Sequence, residues 1–148
     1  MEHLSVRPLG GARYRIDVRG HEIVVDQPSN AGGDDTAATP TELFVAGLAS
    51  CIAFYAGHYL GRHGLPTDGL DVRAEWAFAE GRPARVGDVR VVVTPPPGLP
   101  ERRLPGLLAV ARRCTVHNSL EEPPAVSVTL AAEAAAGAGP ALRAAAGE

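Results

Sequence analysis

The chain has 148 residues, 45% of them hydrophobic, enough for one domain with one core. A formal net charge of −3, scattered arginines and 5% aromatics exclude the basic, aromatic-studded surface that binds nucleic acid. The N-terminal stretch MEHLSVRPLGGARYRIDV has no apolar run of signal-peptide length, and no segment approaches the roughly 20 apolar residues of a membrane span, so a soluble cytoplasmic protein is expected.

The first readable pattern is RYRIDVRGHEIVVDQP, which predicts two antiparallel strands, Arg13 to Val18 and Glu22 to Asp26, joined at Arg19-Gly20 and stopped by Pro28. SNAGGDDTAAT is small, Gly-rich and acidic without periodicity, and reads as a mobile loop. A helix then starts under clear signals: Thr39 at the N-cap, Pro40 at N1 and Glu42 at N3 form a capping box. It should run to Leu60 or Gly61. Leu43, Val45, Leu48, Ile52 and Phe54 are interleaved with alanines and glycines, so the helix should be buried on most sides.

LDVRAEWAFAE and the valine-rich VGDVRVVVTPP flank EGRPAR and predict a long hairpin. ERRLPGLLAVARRC spaces Leu104, Leu107, Leu108 and Val110 as a helix ending in a basic last turn; Pro105 either opens that helix or kinks it. PAVSVTLAAE predicts a closing strand, and the low-complexity tail from 134 to 148 is expected to be flexible behind a single domain of residues 1–133. The order ββ-α-ββ-α-β predicts an α+β fold with antiparallel sheet covering the helices.

Two cysteines, Cys51 and Cys114, stand 63 positions apart. In a reducing cytosol such a pair is either buried and inert or chemically active, because a structural disulfide does not persist there. Helix axes packed about 8–10 Å apart, with Cα atoms about 2.3 Å off each axis, let facing cysteines come within disulfide range. Small residues Gly47, Ala49 and Ser50 would allow that approach, though ordinary tight packing uses them equally. At 100° per residue, Gly47, Phe54, Tyr55 and His58 share the face of Cys51, an aromatic wall suited to an apolar substrate. A thiolate at Cys51 needs a positive charge, and Gly20 to Gly61 contains no Arg or Lys, leaving Arg13, Arg15 or Arg19. Cys114-x-x-His117 with Cys51 and His58 offers four potential zinc ligands, but no C-x-x-C or H-x-x-x-H spacing supports a metal site. No cofactor is expected.

TPTELFVAGLASC resembles the helix-start segment of the OsmC/Ohr family, the osmotically induced and organic hydroperoxide resistance proteins, and CTVHNSL resembles that family's second-cysteine segment, usually C-P-V-x-x-x-L. The separation and the element order fit as well, over roughly Arg13 to Leu130. The resemblance implies antiparallel sheets wrapped around two central helices in an intertwined homodimer.

It further implies a peroxidase for organic hydroperoxides: Cys51 would attack the peroxide, Cys114 would close a disulfide on the resulting sulfenic acid, and a dithiol reductant would reopen it. The expected position of Cys114 at a helix C-terminus, where the dipole disfavours a thiolate, suits the second role. The family's arginine and glutamate carry over less directly. Arg13, after Gly10-Gly11, resembles the glycine-flanked arginine, with Arg19 as rival; the family glutamate would fall on Thr41, one residue before Glu42, which the capping box already explains. The alternative on the same dimer is a binding module without turnover, its apolar cleft near Phe54, Tyr55 and His58 holding a lipid or other small molecule.

Overall fold

The computed structural model of the chain describes residues 2–131. The tail from 134 to 148 lies outside them, as do the last two residues of the expected closing strand.

Three strands come first: β1 (Ser5–Gly10), β2 (Arg13–Val18) and β3 (His21–Val25), antiparallel in that order. The sequence predicts β2 and β3, joined through Arg19 and Gly20, both at positive φ as a tight hairpin turn requires. β1 was not expected, because Pro8 breaks its pattern. It is an edge strand, where proline is tolerated, and it pairs Val6 with Ile16 and Pro8 with Tyr14.

The acidic loop after β3 is not a loose connection. Asp26 is fully buried, and its carboxylate accepts N–H groups from Gln27 (2.8 Å), Asp34 (3.3 Å) and Thr36 (3.0 Å) and the Thr36 hydroxyl (2.7 Å). The Asp26 N–H in turn donates to Ala38 O at 3.2 Å, closing the loop on itself. A Cβ at Gly33 would collide with the Gln27 carbonyl, so this fold of the loop needs glycine there.

α1 (Pro40–Arg62) opens with the expected capping box: the Glu42 N–H donates to Thr39 Oγ1 (3.1 Å) and the Thr39 N–H donates to Glu42 Oε2 (2.7 Å). Burial is narrower than expected. Val45, Leu48, Ile52, Ala56 and Leu60 form one buried stripe, whereas Phe54 on another side is 67% exposed. With 23 residues and a mean hydropathy of 1.6 in its most apolar window, α1 does reach the length and composition of a membrane span, contrary to the expectation that no segment would. Its aliphatic side chains raise the hydropathy, and both core clusters are built on its buried stripe.

The predicted hairpin is β4 (Asp71–Phe78) with β5 (Val86–Thr94), Val72 opposite Val93 and Ala74 opposite Val91. Val72, Val89, Val91 and Val93, alternate residues of the two strands, turn toward the Leu48 and Ile52 side of α1. Pro105 lies in the first turn of α2 (Leu104–Ala111), directly after a 3-10 turn at Glu101–Arg103, and so opens the helix without kinking it.

Two expectations fail at the C-terminal side. The helix predicted to reach Cys114 stops at Ala111, and after Arg112 and Arg113 a new helix, α3 (Thr115–Glu121), begins. The closing strand from Pro124 is absent among the described residues: 123–130 has no regular structure, with Val126 82% and Val128 92% exposed. Alternating side chains become a strand only beside a backbone to pair with, and neither described sheet includes this segment.

Candidate thiol site

Cys51 sits three turns into α1, half-buried; Cys114 is fully buried at the start of α3. Both thiols are free. Leu48, Ile52, Ala111 and Cys114 form one buried cluster, and Cys51 and Tyr55 pack against it. The sequence leaves open whether the two cysteines meet; the structure brings them together in one apolar setting.

Cys114 is not at a helix C-terminus, as the sequence reading has it. It has extended backbone angles and serves as the N-cap of α3, its Sγ accepting the His117 N–H at 3.4 Å. The break follows Arg112–Arg113, and a thiol takes the place that serine or threonine usually fills, so the usual N-cap signal is missing. Burial pushes the Cys114 thiol above its ordinary pKa, the His117 N–H pulls it back, and the hydrogen bond and charge of the neighbouring Cys51 push it up further.

Tyr55 is the aromatic that reaches the thiols: its ring packs on their cluster and its hydroxyl lies 3.0 Å from Thr115 Oγ1. Phe54 and His58 turn outward from it. Phe54 stacks on His58 (centroids 6.1 Å, 26°) and meets Tyr55 edge-on (5.7 Å, 81°). Thr115, next to Cys114 in the sequence, is the site residue that sequence reasoning missed; adjacency to a cysteine was its one signal.

Glu42 lies nine residues before Cys51, roughly 13 Å along the helix axis, and is engaged in the cap. Arg13 begins β2, in a sheet that makes no broad packing contact with α1, α2 or α3. Its Nε is buried without a hydrogen-bond partner. Arg15 is committed to Asp17 (3.2 Å) and Glu22 (3.7 Å), and Arg19 is an exposed turn residue.

No group of three or more His, Cys, Asp or Glu residues that could hold a metal occurs among the described residues. The His117 Nδ1–H donates to Arg112 O at 2.6 Å, and its Nε2 faces Glu121 at 3.6 Å. Beside the thiol cluster, Leu48, Ile52, Val91, Leu108 and Leu120 line a groove of about 450 Å³ whose rim carries Arg112, His117 and Glu121.

An apolar helix backed by an antiparallel hairpin, with two thiols meeting where a short third helix begins, defines a class: a two-cysteine α+β protein. The family model for OsmC-like protein matches residues 32–129, and the chain belongs to that family.

Solved structures agree. A Psychrobacter arcticus 273-4 protein, described as osmotic stress induced and of the detoxification response, is 25% identical with a TM-score of 0.73, covering 80% of this chain and 88% of that one. An organic hydroperoxide resistance protein OsmC from Legionella pneumophila is 19% identical (TM-score 0.57; 80% and 88% covered). The organic hydroperoxide resistance protein OhrB of Bacillus subtilis is 18% identical (TM-score 0.59; 83% and 92% covered), and at these identities the last two speak for the fold. No curated protein matches the chain.

Proposed function

We propose that this protein is a thiol-dependent peroxidase that reduces organic hydroperoxides. The observation that carries the reading is the meeting of a half-buried Cys51 with a buried Cys114 in one apolar cluster. The family membership and the hydroperoxide resistance names of the Legionella and Bacillus structures support it.

In the first step the Cys51 thiolate attacks the distal peroxide oxygen; the S–O bond forms, the O–O bond breaks, and the alkoxide leaves as alcohol after taking a proton. Cys114 then attacks the Cys51 sulfur, the S–O bond breaks, and the oxygen departs as water with the Cys114 proton. A dithiol reductant in a reducing cytoplasm restores both thiols by exchange. Accessibility supports the assignment of roles, since the more exposed thiol meets the substrate and the buried one waits for it.

Among the described residues the Arg13 Nε is buried without a hydrogen-bond partner, which supports its role as the thiolate's partner. Because its sheet stands apart from α1, that role calls for an intertwined homodimer in which a second chain completes the site. The bare faces of Phe44 and Phe54 and the exposed Val126 and Val128 support the same assembly. Glu42 gives Oε2 to the cap, leaving its other oxygen to orient the arginine. Phe54, Tyr55 and His58 would contact the organic part of the substrate.

Stopped-flow mixing with an alkyl hydroperoxide tests the reading: Cys51 should oxidise rapidly in folded protein, and thiol loss no faster than in unfolded protein would sink it. The groove beside the cluster also favours a second reading, a binding module for a small apolar molecule. Native mass spectrometry with no retained ligand, together with fast peroxide turnover, would remove that one.

A further inference from the structure

The two segments that carry the thiols are joined by a bond that neither thiol makes. Tyr55 lies four residues beyond Cys51, one turn on and on the same side of α1. Thr115 follows Cys114 directly and opens α3. Their hydroxyl oxygens are 3.0 Å apart, a side-chain hydrogen bond that ties α1 to α3.

The bond matters because of what surrounds Cys114. This residue sits at a break between an 8-residue and a 7-residue helix. Helices this short do not hold their own conformation in water, so the position of Cys114 depends on what docks them. The Tyr55 ring already packs on the Cys114 cluster, while Thr115 is exposed and has no buried polar group to satisfy. A hydroxyl pair at this point therefore fixes where α3 begins relative to Cys51.

We propose that Tyr55 is a positioning residue: through its hydroxyl bond to Thr115 it holds Cys114 in reach of Cys51 for disulfide formation. This rests on the reading of the two cysteines as a peroxidase pair. The step served is the second one, in which the S–S bond forms, the Cys51 S–O bond breaks, and water leaves with the Cys114 proton.

The test uses Tyr55→Phe, Thr115→Val, the double variant and Thr115→Ser in the full-length protein. First, the Cys51–Cys114 disulfide is equilibrated against reduced and oxidised glutathione and read by mass spectrometry, with no peroxide present. A neutral hydrogen bond corresponds to about a two- to tenfold fall in the disulfide equilibrium for either single variant. The double variant should be no worse than the singles, and Thr115→Ser should behave as wild type.

Second, single-turnover oxidation of Thr115→Val by an alkyl hydroperoxide should leave sulfenic acid formation unchanged, slow disulfide closure by a similar factor, and raise the yield of Cys51 sulfinic acid. Thr115 is exposed, so its variant keeps the experiment readable should Tyr55→Phe fail to fold. Wild-type glutathione equilibria in folded single variants, or additive losses in the double, overturn the proposal. A wild-type protein that closes the disulfide with glutathione but ignores hydroperoxide overturns the peroxidase reading and leaves this one standing.

Discussion

Thr36 gives both its N–H (3.0 Å) and its hydroxyl (2.7 Å) to the same oxygen of Asp26. With the N–H groups of Gln27 and Asp34 added, the ionised carboxylate is favoured in the folded chain, and its pKa falls from 3.8 to about 2. The backbone and hydroxyl bonds from Thr36 are the largest causes; burial alone would act the other way. A pKa lowered on folding contributes stability that is complete above about 4 and is lost as the pH falls toward 2. Urea midpoints should therefore drop over that window in the wild type, and Asp26→Asn should both lower the midpoint at pH 7 and flatten the drop. An Asp26→Asn profile parallel to wild type would show that the loop does not depend on this charge.

Gly33 gives the same loop a steric test. A Cβ there meets the Gln27 carbonyl and stands 2.7 Å from Asp26 Oδ1, so Gly33→Ala should cost about 1–3 kcal/mol as an overpacking change. Thermal unfolding followed by circular dichroism would reveal it; an unchanged melting temperature would mean that the loop has room the geometry does not show.

Cys114 can be separated into its two jobs. Cys114→Ser keeps an oxygen to accept the His117 N–H, whereas Cys114→Ala removes the cap and should cost about 1 kcal/mol more. Neither can close the disulfide, so excess alkyl hydroperoxide should drive Cys51 to sulfinic acid in both. Intact mass after a short exposure distinguishes this from a reaction that stops at one oxygen.

For Glu42, Glu42→Gln retains a side chain fit for the capping box and removes the charge. Stability should stay near wild type, while Cys51 oxidation should slow by about tenfold or more, the worth of a hydrogen bond between charged groups. Thr39→Ala should do the reverse, costing about 1 kcal/mol of stability with little effect on the rate. Equal rates for Glu42→Gln and wild type would leave Glu42 as a cap alone.

Val128, 92% exposed in the single chain, tests the assembly. Val128→Asp costs nothing if that face stays in water, but should shift a homodimer toward monomer in sedimentation velocity. No shift, with a dimer still present, would put the interface elsewhere.

What the sequence made legible follows from how local each signal is. The α1 start was readable because Thr39, Pro40 and Glu42 settle it among themselves. The β4–β5 hairpin was readable from its valines. By contrast β1 hid behind Pro8, whose effect depends on whether the strand is an edge, a property of the sheet and not of the segment. Asp26 looked like the end of a strand, because three of its four donors come from Asp34 and Thr36, which reach it only after the loop has folded.

The site was legible in the same partial way. Cys51 and Cys114 could be paired through the family resemblance, but the break at Arg112–Arg113 carries no proline and no glycine, so the Cys114 cap was invisible. The closing strand was read from alternation, and neither sheet among the described residues takes that segment in. The aromatic wall was half seen: one helix face was predicted, and the structure divides it between Tyr55 at the thiols and Phe54 with His58 outside.

The loop that Asp26 closes has an architectural meaning as well. Since the Asp26 N–H reaches Ala38 O at 3.2 Å, the chain leaves the sheet and enters the helix at neighbouring points, whatever lies between. Its outer tip near Asn30 and Gly32 is thus a place where residues could be inserted at small entropic cost without displacing Thr39. The position of Cys51 along α1 is indexed to the end of β3, and is insulated from the length of the loop that joins them.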